Sequence, residues 1–205
     1  MSKDHERMVT GQLYDASAPD LALARKTAQR RLFAYNQLAP EATAERAALL
    51  ATMVDCPSED AHIEAPAHMD YGVNIHIGRR FYANYDVIML DVAPITIGDD
   101  VMFGPRVGLY TAGHPLDAGV RTDGLEYGHP ITIGNRVWLG GSVTVCPGVT
   151  IGDNVVVGAG SVVTKDLPAN VVAAGVPARP IRPLTDADTR YWRAEQAAYE
   201  QEENE

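Results

Sequence analysis

Aromatic residues are scarce: three Phe, two Trp and nine Tyr make up 7% of the 205 residues. A core of large stacked rings is thereby excluded, and any sizeable core must be built from small and branched aliphatics. Cysteine occurs twice, at Cys56 and Cys146, too far apart in sequence for a paired-thiol metal motif and too few for a disulfide framework. Cys146, beside Pro147, is expected to be a small filler rather than a nucleophile. No stretch approaches the roughly 18 apolar residues of a membrane span. The opening "MSKDHERMVTGQLYD" has no apolar run of signal-peptide length. A cytoplasmic location and no membrane partner are the expectation. Basic residues are few and form no stripe interleaved with aromatics, which argues against a nucleic-acid partner. The net charge of −10 is uneven, since residues 186–205 hold seven acidic and two basic side chains, half of the excess. That tail reads as a solvated acidic segment.

What the chain does have is a rhythm. Between Ile97 and Leu167 an aliphatic residue recurs at every sixth position, best seen at Ile133, Leu139, Val145, Ile151, Val157 and Val163. Small residues, mostly Gly, follow five of these six heads. A period of six is the signature of a parallel β-helix, in which each hexad makes one flat side of a triangular coil. The head points inward and stacks on the same position one coil away, and glycine relieves crowding where the chain bends. The fold class is therefore mainly β.

The phase of the repeat locates a second feature. "IHIG" at Ile75, "ITIG" at Ile95 and "ITIG" at Ile131 mark the same corner of successive coils. The first pair lies 20 residues apart and the second pair 36, so sixteen residues have been inserted. The insertion covers roughly 115–130, "PLDAGVRTDGLEYGHP", with His114 at its base. It reads as a loop thrown out from a rigid scaffold, where function concentrates.

Helical patterns flank the coils. Leu21, Ala24, Ala28, Leu32, Tyr35 and Leu38 recur at helical spacing, and "PEATAERAALLATMV" from Pro40 reads as a second helix. The domain reading is a helical N-terminal cap over 1–58, the β-helix with its inserted loop over 59–183, and a C-terminal helix with an acidic tail over 184–205. Such caps cover the open edges of a β-helix, which would otherwise recruit other chains.

Several phrases carry a resemblance over nearly the whole chain: "GQLYDASAPDL" in the cap, "YGVNIHIG" and "FYANYDVIMLDVAPITIGDDVMFGPRVGLYTAGHPLD" in the first coils, then "GHPITIGNRVWLGGSVTVCPGVTIGDNVVVGAGSVVTKDLPANVVAAGVPARPIR". These resemble the maltose and galactoside O-acetyltransferases among the hexapeptide-repeat acyltransferases, and the cap is similar to the maltose-type branch. The resemblance implies a left-handed β-helix, against the usual crossover rule. It also implies acetyl-CoA as cosubstrate with no metal required, and a homotrimer with active sites between subunits.

The chemistry says what such a site must contain. Acetyl-CoA brings its acyl group already activated, so the enzyme must deprotonate an acceptor hydroxyl and stabilise the oxyanion formed at the thioester carbonyl. His114 matches the family's general base, and a residue titrating near neutrality suits that task. The resemblance assigns the oxyanion to the backbone amide of Gly141, where many relatives carry Ser. It gives CoA contacts to Trp138, Gly141, Ala159, Thr164, Lys165, Arg179 and Arg182. Lys165, Arg179 and Arg182 are the only basic residues in 150–183, a local exception to the acidic whole. For the acceptor it carries over Asp15, Asp70, Tyr82, Asn84, Asp91 and Glu126, groups able to grip several hydroxyls by paired hydrogen bonds. Asp70 and Glu126 depart from the galactoside branch and lean toward a maltose- or glucose-like mono- or disaccharide.

Three other readings are weaker. Relatives that acetylate a xenobiotic or antibiotic hydroxyl usually lack the helical cap. A trimeric zinc β-helix of the γ-carbonic-anhydrase kind typically needs two histidines separated by four residues, and none of the six histidines is so placed. A non-catalytic solenoid scaffold leaves the insertion unexplained.

Overall fold

A computed structural model describes residues 2–56 and 60–202. The expected boundary between 58 and 59 and the last residues of the acidic tail, 203–205, lie outside the described residues. The coils form a three-sided parallel β-helix. Its first face stacks Ile75–Ile77, Ile95–Ile97, Ile131–Ile133 and Thr150–Ile151. The second stacks His62–Ile63, Tyr82–Ala83, Met102–Phe103, Trp138–Leu139, Val156–Val157 and Val171–Gly175. The third stacks Ala67–Met69, Val87–Leu90, Gly108–Tyr110, Thr144–Val145 and Val162–Val163.

The register confirms the hexad reading. Ile97, Ile133 and Ile151 lie in one ladder, Phe103, Leu139 and Val157 in the next, and Leu109, Val145 and Val163 in the third. None of these nine is more than 2% exposed. Aliphatic side chains stacked this way stay dry along the whole axis, and each full burial contributes roughly 1.5–3 kcal/mol. The glycine after the head is required by close approach. A Cβ on Gly98 would stand 2.8 Å from the backbone of Gly134 in the next coil. The third residue of each turn between the first two faces takes a left-handed conformation, at Arg80, Asp100, Arg136 and Asn154. Asp and Asn tolerate it best among residues with side chains.

The cap holds three helices where two were expected: α1 (Lys3–Val9), α2 (Pro19–Asn36) and α3 (Thr43–Leu50). Pro19 opens α2, where its missing N–H costs nothing. Helix α2 buries Leu21, Leu32 and Tyr35, whereas Ala24 is exposed. At its last residue Asn36 gives an N–H to the carbonyl of Ala67 and accepts the N–H of Ala67, both at 2.9 Å. One amide side chain thus stands in for a missing strand at the open edge of the third face.

The far end differs from expectation. The edge is closed by a hairpin in which Ala178–Pro183 pairs antiparallel with Val171–Gly175. Helix α5 (Asp186–Glu202) buries no residue, so it caps nothing in a single chain. No described helix is long and apolar enough to cross a membrane. Cys146 packs against the core, where burial pushes its thiol up, as suits a filler.

Candidate active site

The insertion is a hairpin, not an irregular loop. Ala112–Gly113 pairs antiparallel with Tyr127–Gly128, and a short helix α4 (Ala118–Thr122) sits at the tip. Asp117 caps α4 by accepting the N–H of Val120 at 2.9 Å. The base is closed where the N–H of His129 donates to the carbonyl of Thr111, at 2.9 Å. His114 follows the first strand directly. Its imidazole is exposed and makes no side-chain hydrogen bond among the described residues.

A third strand joins this hairpin from the cap. Tyr14–Asp15 pairs antiparallel with the inserted strand, with Tyr14 opposite Glu126 and Asp15 opposite Leu125. Cap and coils then share a second small core of Met8, Tyr14, Ala18, Leu21, Tyr71 and Val92, against which Ala112 of the hairpin packs. The Tyr14 hydroxyl donates to Glu126 Oε2 at 2.9 Å. Asp70 lies close enough for the Glu126 charge to act on it, and burial raises its carboxyl above the usual range, with Arg25 opposing. Arg25 donates to the Tyr71 hydroxyl at 2.9 Å and to the carbonyl of Ala16 at 3.2 Å. It was not among the expected residues, yet it follows Leu21 by four positions on the apolar stripe of α2. A charge on such a stripe was the signal.

Asp91 requires a correction. It is fully buried, and its Oδ1 accepts the N–H of Asp70 at 3.1 Å and of Tyr71 at 2.8 Å, while Oδ2 accepts that of Asn74 at 3.3 Å. It cannot touch an acceptor; it holds the turn that carries Asp70. Asp15 stands opposite Leu125, one place along the strand from Tyr14. Neighbours on a strand point to opposite sides, and its exposed carboxylate accepts from the N–H and hydroxyl of Ser17.

The other expected residues lie elsewhere on the prism. Tyr82 and Trp138 stand on the outside of the second face, in one ladder with Met102 between them. Trp138 and Met102 are half exposed, and the Tyr82 ring stacks on His62 with centroids 5.8 Å apart. Asn84, Gly141 and Ala159 sit at the corner between the second and third faces. Asn84 Oδ1 accepts the N–H of Tyr85, and Pro105 has no N–H at the equivalent place one coil on. The N–H groups of Gly141 and Ala159 have no acceptor among the described residues, although Gly140, Ser142 and Val143 around Gly141 all donate.

Thr164 and Lys165 are exposed at the corner between the third and first faces, the corner from which the insertion leaves. Arg179 and Arg182 project from the closing hairpin. Arg182 is not a free cation: both its terminal nitrogens bind Asp188 of α5 at 2.8 Å, and this holds the Asp188 carboxyl well below the usual range. Among the described residues the Arg179 guanidinium donates only to the carbonyl of Ala178. His114, Asp70 and Glu126 therefore occupy one corner of the prism, and Gly141 with Trp138 another. Adjacent corners are separated by about five residues of extended chain, roughly 15 Å.

Comparison with known proteins accounts for the cap and the coils. Residues 7–55 match the family model of the maltose acetyltransferase hexapeptide capping motif, and residues 130–165 match that of the bacterial transferase hexapeptide with six repeats. The galactoside O-acetyltransferase of Escherichia coli is 45% identical over 187 residues, covering 91% of this chain and 92% of that protein. The crystal structure of a maltose O-acetyltransferase from Clostridium difficile superposes with a TM-score of 0.87 at 44% identity, covering 90% of this chain and 98% of that one. A galactoside acetyltransferase in complex with coenzyme A gives a TM-score of 0.86 at 43% identity, over 92% and 94% of the two chains. With cap and coils accounted for, the chain belongs to the maltose and galactoside O-acetyltransferase family of hexapeptide-repeat acyltransferases.

Proposed function

We propose that the protein transfers acetyl from acetyl-CoA to a hydroxyl of a mono- or disaccharide, with His114 as general base, in a site completed by a second copy of the chain in a homotrimer. The observation that carries this reading is the N–H of Gly141, which has no acceptor among the described residues in a turn where the amides of Gly140, Ser142 and Val143 are satisfied. A partly buried donor without an acceptor is costly and persists where a ligand uses it. Family membership supplies the ligand class: the galactoside acetyltransferase noted above is a complex with coenzyme A.

The groups divide the reaction between them. The acceptor oxygen attacks the thioester carbonyl carbon while its proton passes to His114. Negative charge gathers on the former carbonyl oxygen, where the Gly141 N–H donates to it. The carbon–sulfur bond then breaks, the proton returns from His114 to the sulfur, and CoA leaves with the acetyl ester formed. Asp70 and Glu126 hold the sugar hydroxyls, with Tyr82, Asn84 and Asp15 brought in by the neighbouring copy. Trp138, Ala159 and Thr164 line the pantetheine arm, and Lys165, Arg179 and Arg182 face the phosphates. A second copy is needed because His114 and Gly141 lie on different corners of one prism.

An acetyl-CoA turnover screen across sugars with mass detection of the product tests the reaction. His114→Ala is expected to lower turnover by about two or more powers of ten while acetyl-CoA binding stays nearly intact. Wild-type turnover in that variant would remove His114 from the reaction.

A further inference from the structure

Tyr14 belongs to the cap, which packing alone would assign a structural role. Its ring is fully buried against the small core that joins cap, insertion and coils. Phenylalanine would fill that space equally well, so the hydroxyl is surplus to packing. The register explains where it goes. Tyr14 and Glu126 are directly opposite in an antiparallel pair, and opposite residues project on the same face. The hydroxyl donates to Glu126 Oε2 at 2.9 Å, and Oε1 makes no hydrogen bond among the described residues. Burial and the neighbouring Glu126 charge raise the phenol far above its ordinary range, so it remains a donor at every working pH.

A carboxylate on a two-sided hairpin strand would otherwise sample several rotamers. One oxygen tethered from the cap leaves the second with a defined direction. We propose that Tyr14 is a positioning residue of the acceptor site: its hydroxyl fixes Glu126 so that Oε1 is presented to a hydroxyl of the acceptor, which makes the helical cap part of the specificity apparatus. This rests on the reading that Glu126 faces a sugar. The chemistry selects an acceptor bearing a donor hydroxyl at that point and disfavours the deoxy analogue, which would leave Oε1 unpaired.

The test compares Tyr14→Phe, Glu126→Met and the double variant in the full-length protein, with maltose and glucose as acceptors. Tyr14→Phe is expected to raise the acceptor KM about tenfold and to leave the acetyl-CoA KM within about twofold. Glu126→Met should raise it at least as much, and the double variant should match Glu126→Met alone, since the hydroxyl then has nothing to orient. The double variant should also melt no lower than Glu126→Met, because it removes an orphaned buried hydroxyl. If the two effects multiply, or if the acetyl-CoA KM moves equally, the tyrosine acts through packing and the proposal falls. Wild-type protein that acetylates no sugar would overturn the proposed function, and the acceptor role of Glu126 with it. Sugar turnover by the wild type that Tyr14→Phe matches would overturn the role of Tyr14 alone.

Discussion

Two corners of the prism have the same backbone and opposite manners of treating it. At the corner between the first and second faces, the second residue of the first three turns donates its N–H to a side chain of the next coil. Arg79 donates to Asp99 Oδ1 at 2.8 Å, Asp99 to Asn135 Oδ1 at 2.9 Å, and Asn135 to Asp153 Oδ1 at 2.7 Å. At the corner between the second and third faces, the equivalent residues are Tyr85, Pro105, Gly141 and Ala159. The third residue of the turn behaves alike in both places: Arg136 donates to the carbonyl of Asp99 and Ser142 to that of Pro105, each at 2.8 Å. Both are left-handed. The geometry is common, and after Asn84, which caps Tyr85, the second corner carries no capping side chain among the described residues. A repeat that satisfies such amides with Asp and Asn at one corner leaves those of Gly141 and Ala159 open at the other, where the proposed function places the oxyanion and the cofactor.

The sharpest way to break that comparison is Gly141→Pro. Pro105 already occupies the same place one coil earlier, and a Cβ at Gly141 would meet nothing closer than 3.4 Å. Gly141, unlike Gly148 and Gly160, is not left-handed, so proline can be accommodated. The substitution removes one N–H and little else. Turnover is expected to fall by about 10²–10³ with the thermal midpoint within a few degrees of wild type. Near-normal turnover in a folded Gly141→Pro would show that the open amide is not the oxyanion donor.

The same contrast shows what a sequence can and cannot disclose. The hexad heads were legible because a dry stack admits only apolar side chains, so Ile133 or Val157 could not have been polar. Pairing of Tyr14–Asp15 with Leu125–Gly128 was not, because strands of two and four residues carry no readable alternation. Helices α1 and α4, of seven and five residues, are too short for a period. The open amide of Gly141 is a property of its neighbours, and glycine itself gives no sign of it. Asp91 is instructive in another way. Val87 and Met89 point inward, so a strict alternation sends Asp91 inward too, along with Tyr71 and Thr111 at the same place in adjoining coils. The family resemblance suggested a sugar contact, but parity held the answer.

That third corner, between the third and first faces, is capped from within by Asp91. Burial, helped by the nearby Asp70 charge, pushes its carboxyl up to about 7 against the N–H groups it accepts. Asp70 is raised as well, mainly by burial. The folded state therefore holds protons that the unfolded chain gives up near pH 4. Stability from this corner is fully present below that pH and is lost as pH rises through about 7. Between pH 5 and 8 the wild type is expected to lose about 2–3 kcal/mol more than Asp91→Asn, which stays neutral throughout. Denaturant unfolding at stepped pH measures both slopes. Parallel slopes would mean that Asp91 is ionised in the fold and that its N–H partners outweigh burial.

The smallest effect belongs to the capped corner and serves as the control for Gly141. Asn135→Ala removes the side-chain oxygen that accepts the N–H of Asp99 at 2.9 Å, and the Nδ2 bond to Asp153 at 3.1 Å. It leaves the backbone turn, the inward Ile133 and the left-handed Arg136 untouched. Asn135 is partly exposed, so water can replace part of what is lost. The cost is that of a lost cap, about 1 kcal/mol, or a thermal midpoint lower by about 2–4 °C. Turnover and both KM values should stay within about twofold, because this amide faces a side chain and not a substrate. The two variants thus exchange their signatures: Gly141→Pro loses rate and keeps stability, whereas Asn135→Ala loses stability and keeps rate. A rate loss at Asn135 comparable with that at Gly141 would mean that the two corners are mechanically linked, and that an open amide at one of them is not by itself the mark of a site.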